Sequence, residues 1–230
     1  MRRSLILWSA RAAVVLGFPV WAAPPRQTVQ VVTTDRVDLG PGGTVRLTHS
    51  SGDLNMEAWD QPAVEITVTR TAFRHDTPQE QEQAKRDLDR IQVSAKRLNN
   101  GDVDVATDFP SRNRLVRALR GFGDFNLDYR IKVPRDAKLV IRHEVGDVTV
   151  EGVAGDIDAR DRAGDIVLQL PGSARYAVDA KCTVGNVYSD WEGTNRGSNL
   201  VGQRFINTGD ASAHHVFLRV GIGGITIQRQ

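Results

Sequence analysis

After its first 22 residues the chain alternates apolar and polar positions with period two, and glycines punctuate the alternation. Three units, Gly146-Asp147-Val148-Thr149-Val150, Gly155-Asp156-Ile157-Asp158-Ala159 and Gly164-Asp165-Ile166-Val167-Leu168, recur at a strict nine-residue period. Related units begin at Gly52-Asp53, Gly101-Asp102, Gly185-Asn186 and Gly223-Gly224. Glycine tolerates positive φ at a corner, and Asp or Asn hydrogen-bonds to backbone there. The alternation that follows is a strand buried on one side. Val148 and Val150, Ile157 and Ala159, and Ile166, Leu168 and Leu170 face one interior, while Thr149, Glu151, Asp158 and Arg160 face water. Nine residues leave about five for strand and four for turn, too few for a βαβ unit. Such units bury their apolar side only by stacking. The pattern predicts an all-β, solenoid-like stack of short strands in two packed sheets.

One helix interrupts the strands near residues 78–91. Thr77-Pro78-Gln79-Glu80 combines an N-cap hydroxyl, proline at the first helical position and glutamate three residues after the cap. Ala84, Leu88 and Ile91 then form an i, i+4, i+7 stripe. Strand alternation resumes at Ile91, Val93 and Ala95, and Asn99-Asn100-Gly101-Asp102 reads as a hairpin turn into Val103 and Val105.

The run Tyr129-Arg130-Ile131-Lys132-Val133-Pro134, then Ala137 to Ile141 and the Gly-Asp-hydrophobic units, resembles the bacterial putative-adhesin domain. This β-strand-repeat domain of unknown function is also called toastrack. Ser51 to Asp60, with Val64 to Val68 behind it, is similar to that family's opening unit. The resemblance spans roughly residues 40 to 228. It implies an extracytoplasmic β-repeat domain concerned with adhesion, scaffolding or envelope-stress assemblies, and it carries over no catalytic set.

The N-terminus changes how the charge is read. The 230 residues hold 30 Lys+Arg and 28 Asp+Glu, a formal +2. Arg2, Arg3 and Arg11 lie in the first 22 residues, where there is no acid. That stretch has a charged start, an apolar run too short and broken to span a membrane, and Val20-Trp21-Ala22 at the cleavage positions. We expect a signal peptide over 1–22, cleaved near Ala22 or Ala23, an N-terminal extension over 23–39 and one β-repeat domain over 40–230. The remainder then carries one more acid than base, which removes the nucleic-acid reading. Export to the periplasm or the exterior follows, with no transmembrane segment in the mature chain.

Motifs for a nucleophile elbow, a zinc protease helix, a phosphate loop and a dinucleotide fold are all missing. His49, His75, His143, His214 and His215 lack ligand spacing, and we expect no cofactor and no metal centre. Asp147, Asp156 and Asp165, if stacked at equivalent corners, would form a carboxylate row of the kind calcium uses, yet turn-capping explains them better. Glu151, Asp158 and Asp161 are the carboxylates available for sugar hydrolysis. Cys182, the single cysteine, falls in phase with a buried strand face. The concentrated charge is Arg112, Arg114, Arg117 and Arg120 among Leu115, Val116, Leu119 and Phe122, a candidate contact for an anionic partner or, weakly, a membrane surface. The preferred reading is an exported, non-catalytic adhesion-type module of the cell envelope with an envelope protein or polysaccharide as partner. The alternative is a small carbohydrate-binding or carbohydrate-active β-solenoid protein; an enzyme of that kind should bring Trp59, Trp191 and at least two carboxylates into one cleft.

Overall fold

The computed structural model describes residues 28–73, 77–109, 125–197, 201–210 and 213–230; the expected signal segment and Arg112, Arg114, Arg117 and Arg120 lie outside them. Fifteen strands and one helix follow in chain order: β1 Thr28–Asp38, β2 Thr44–Ser50, β3 Asp53–Trp59, β4 Ala63–Phe73, α1 Pro78–Asp89, β5 Gln92–Arg97, β6 Val103–Asp108 and β7 Phe125–Pro134. Then come β8 Lys138–Val145, β9 Val148–Glu151, β10 Ile157–Ala163, β11 Ile166–Leu170, β12 Tyr176–Ser189, β13 Thr194–Arg196, β14 Arg204–Asn207 and β15 His214–Arg229. Among the described residues the chain is all-β with one inserted helix, in the expected stacked arrangement.

The stack is built from coils, each a strand on a first sheet, a corner, and a strand on a second. β2 turns into β3, β8 into β9 and β10 into β11, while β12 and β15 run round the corner unbroken. Neighbouring coils are parallel and in register, so Val45, Leu139, Ile157, Val216 and Val178 align on the first sheet. Leu54, Val148, Ile166, Ile225 and Val187 align on the second. All ten are buried in one core, as period-two alternation requires.

Chain order and spatial order differ. The first sheet reads β6, β2, β8, β10, β15, β12, and the second reads β7, β3, β9, β11, β15, β12. The C-terminal strand is thus wedged between the third coil and β12. Its central position is possible because Leu218, Val220, Ile225 and Ile227 present buried apolar groups on the inner side of both halves. Antiparallel strands close the ends: β5 lies on β6, β4 on β7 and β1 on β4, while β14 covers the first half of β12. Helix α1 packs on β1 and β4 through Ala84 and Leu88. Its start is the expected reciprocal cap, in which Glu80 N donates to Thr77 Oγ1 and Thr77 N donates to Glu80 Oε2.

The corner between the sheets is a column of glycines. Gly52, Gly146, Gly164, Gly223 and Gly185 stack in spatial order, all at positive φ. A Cβ on Gly146 would lie 2.2 Å from the Gly52 carbonyl oxygen, and one on Gly164 would lie 2.0 Å from that of Gly146. No side chain fits, so the coils approach to backbone contact. Gly146 N donates to Ala163 O and Gly164 N donates to Ile222 O across the same interval.

A full coil spans two of the nine-residue units. Gly146 and Gly164 therefore share one corner while Gly155 stands at the other, against Ala137 O. This corrects the single row expected for Asp147, Asp156 and Asp165. Asp147 Oδ1 accepts from Asp165 N and Asp165 Oδ1 accepts from Gly224 N at the glycine corner. At the opposite corner Asp102 Oδ1 accepts from Thr44 N and Asp156 Oδ1 accepts from His215 N. Each of these carboxylates caps a backbone donor of a neighbouring coil.

Replacing Gly146 or Gly164 by alanine is expected to cost at least about 3 kcal/mol in urea unfolding, from backbone strain and overlap with a fixed carbonyl. Gly42 has φ +61 but open space around it, so Gly42→Ala should cost only about 1 kcal/mol. Equal losses at the two kinds of site would refute the stacking account.

Candidate binding face on the first sheet

Alternation puts every second side chain of the first sheet on its outer face, and register then arranges those side chains in rows. One row reads Arg142, Arg160, Arg219, Lys181, Arg204 across β8, β10, β15, β12 and β14. Five cations stand on five successive strands with no acid among them, over about 19 Å at the ~4.8 Å strand spacing. The adjacent row reads Val140, Asp158, Phe217, Asp179, Ile206.

The two aspartates hold most of the cations in place. Arg142 donates to both oxygens of Asp158, at 3.0 and 2.8 Å, and also to the carbonyls of Ile141 and Asp158. Arg219 and Arg204 both fork onto Asp179, with closest contacts of 2.9 and 2.7 Å. Hydrogen bonds from Arg204 and then Arg219 pull the Asp179 carboxyl down to about 2, so it is ionised at any ordinary pH. Arg219 also stacks over the Phe217 ring, 3.6 Å from its centre. Arg160 reaches Asp158 at only 3.4 Å, and Lys181 makes no ion pair among the described residues. Five cations against two carboxylates leave three positive charges in excess on one rigid strip.

A shallow hollow of about 260 Å³ adjoins the strip, between Arg46, Lys138, Asp158, His215 and Phe217. It exists because Val140 is shorter than the neighbours in its row, Arg46 and Asp158. The outer face of the second sheet is different. One of its rows runs Thr67, Arg130, Asn55, Thr149, Val167, Thr226, with a single charge.

The residues singled out from sequence are scattered. Glu151 lies on the outer side of the second sheet, Asp158 on that of the first, and Asp161 is buried inside. Trp59 sits at the end of β3, flanked by Arg36 and Lys132, while Trp191 follows β12 and meets Tyr176 and Arg229. Strands β9, β11 and β15 separate them, so the cleft that would favour a carbohydrate-active protein does not form. Among the described residues no three His, Cys, Asp or Glu side chains gather as a metal site, and no helix is long and apolar enough to cross a membrane. Cys182 is buried, and its Sγ donates to Gly223 O. The cation row escaped the sequence reading, although one signal was present: Arg142 and Arg160 lie 18 residues apart, one full coil.

No family model matches the sequence, and no curated protein is similar to it. Among solved structures, a putative cell adhesion protein from Clostridium sporogenes is 13% identical and covers 87% of this chain and 100% of its own, with a TM-score of 0.50. A putative adhesin from Bacteroides fragilis is 12% identical over 86% of this chain and 97% of its own. Its TM-score of 0.29 is too low to argue from. The first likeness is one of fold, in keeping with the β-repeat architecture and with the adhesin-domain resemblance.

Inside the stack, the rungs next to the glycine corner are polar. His49, at φ 59, is an extra residue that shifts the β2 register and brings Ser50 opposite His143. Ser50 Oγ and His143 Nδ1 share a hydrogen bond of 2.7 Å, and Asp161 occupies the next rung. Burial pushes the His143 imidazole down to about 4 and the Asp161 carboxyl up to about 7; Asp147 and Asp165 nearby add to the latter. Both groups are therefore neutral between those values. Their effects on stability have opposite signs. The depressed His143 contributes stability that is present above about pH 6.5 and lost as pH falls toward 4. The raised Asp161 contributes stability present below about pH 4 and lost as pH rises through 7. The wild type should show little net slope across this window. Asp161→Asn should gain stability with rising pH from 4 to 6.5, by about 3 kcal/mol, and His143→Gln should lose it from pH 4 to 7. Urea unfolding at four or five pH values checks both signs.

Proposed function

We propose that this chain is an exported, non-catalytic, adhesion-type module of the bacterial cell envelope, and that it engages its partner through the outer face of the first sheet. The observation carrying this reading is the row Arg142, Arg160, Arg219, Lys181, Arg204, an excess of charge on a surface too rigid to disperse it. Like charges at strand spacing repel by about 1 kcal/mol per neighbouring pair even in water. Asp158 and Asp179 offset part of that cost, and an anionic partner would offset the rest. The adhesion-protein description of the Clostridium structure supports the same class of role. The reading is non-catalytic because Glu151, Asp158 and Asp161 open onto three different surroundings, with no pair set for acid and base work. Export rests on the N-terminal pattern, and an association with envelope-stress assemblies rests on the family resemblance.

Two measurements test this. The chain recovered from the envelope or medium of an expressing bacterium should begin immediately after Ala22 or Ala23 in N-terminal sequencing; retention of the first 22 residues in the cytoplasm overturns export. Beads coated with the mature chain should bind whole bacterial envelopes, and Arg160→Glu with Lys181→Glu should reduce that binding about tenfold or more. Arg114→Glu with Arg117→Glu is the matched comparison, and loss of binding in that variant alone moves the contact to the arginine segment.

A further inference from the structure

We infer that the partner of this face is a linear, carboxylate-bearing polysaccharide that lies across the strands, along the row from Arg142 to Arg204. This rests on the reading of the face as an interaction surface and names its ligand. Four features of the row select that chemistry.

The first is periodicity. The cations repeat once per strand along a straight line, so the complement is an extended polymer with a charge at a similarly short, regular interval. A folded protein offers such a line only by accident. The second is the type of cation. Four of the five are arginines, whose planar fork matches a carboxylate with two parallel hydrogen bonds. Arg142, Arg204 and Arg219 already do this with Asp158 and Asp179, which fixes the guanidinium planes and lowers the entropy lost when a ligand binds. Arg160 and Lys181, second and fourth in the row, are the least neutralised and provide the free charge.

The third feature is the absence of what other polyanions need. Base stacking supplies much of the binding to single-stranded nucleic acid, but the aromatic ring on this face, Phe217, has Arg219 lying on it. A membrane surface calls for protruding apolar anchors beside the cations. Among the described residues, the exposed apolar side chains nearest the row are Ile222, Val184 and Val201, which pair with one another at the corner three residues beyond Arg219 and Lys181 and do not stand among the cations. The fourth is the hollow over Val140, off the line of the row, where Arg46, Lys138 and His215 stand with Asp156 and Asp158 around its rim. It offers a ring-sized step off the row where one sugar unit of the polymer can seat.

The test uses the mature chain and polygalacturonate, with fully methyl-esterified polygalacturonate as the neutral polymer of the same backbone. In affinity electrophoresis and titration calorimetry at low salt, the wild type should bind the first and ignore the second, with affinity falling as salt rises. Arg160→Glu with Lys181→Glu should weaken binding at least about tenfold. Lys85→Glu with Arg130→Glu, the same charge change placed elsewhere, should stay within about twofold. Should the double reversal fail to fold, Arg160→Gln with Lys181→Gln removes the charges without adding repulsion and is expected to weaken binding about threefold or more. No binding of polygalacturonate by the wild type, equal binding of the esterified polymer, or equal loss in both double reversals overturns the inference. Capture by phosphatidylserine vesicles or single-stranded DNA in place of polygalacturonate also overturns it. The interaction-face reading would survive that last result if Arg160→Glu with Lys181→Glu still abolishes envelope binding, and would fall with it if that variant binds envelopes normally.

Discussion

Everything in this molecule depends on how closely one coil approaches the next at a corner that has no side chains. Gly52, Gly146, Gly164, Gly223 and Gly185 stack with backbone against backbone, and the space a Cβ would need is already occupied by a neighbouring carbonyl oxygen. That contact sets the axial position of each coil relative to the next. Once it is set, the strands on both sheets fall into register, the apolar side chains fill one interior, and the aspartates after the glycines reach the backbone donors of adjacent coils. A displacement by one residue at a single corner would turn that coil's buried residues outward.

The same register creates the surface. Side chains on the outer faces have no packing reason to be one thing or another, so their chemistry is free to differ between sheets. On the second sheet they mix both signs with hydroxyls, one row carrying the single charge of Arg130 and the next carrying Glu65, Lys132, Glu57 and Glu151. On the first, cations from five strands are brought into one line, and two carboxylates hold Arg142, Arg204 and Arg219 in it. Because the scaffold is a stack of hydrogen-bonded strands, the line cannot relax by bending. The repulsion is stored in a shape that an extended anion fits. The buried polar rung of Ser50, His143 and Asp161 comes from a related constraint, since the extra residue at His49 turns a hydroxyl inward where the simple alternation would place it outside.

Much of the architecture was legible along the chain because its causes are local. The capping box at Thr77 and Glu80, the alternation of Val148 to Val150 and Ile166 to Leu170, and the hairpin before Val103 depend on residues a few positions apart. The nine-residue period also revealed a repeating unit. It did not reveal that successive units belong to opposite corners, which is why Asp156 was grouped with Asp147 and Asp165 although it caps the far side. The cation row was nearly invisible for the same kind of reason. Arg142 and Arg160 are one coil apart in sequence, but Arg219, Lys181 and Arg204 join them only through the insertion of β15 beside β10.

The sequence by itself determined the class of fold, the side of each strand that is buried, the helix and its boundary, and the role of glycine as corner and aspartate as cap. These follow from backbone dihedral preferences and short-range hydrophobic periodicity, which act within a single unit. Only the tertiary structure decided which coil lies beside which and therefore which outward side chains share a row. Strand pairing is a contest among many nearly equivalent edges of similar apolar pattern. Its outcome depends on the summed fit of whole coils, β15 between β10 and β12 above all, and no stretch of sequence short enough to read locally contains that sum.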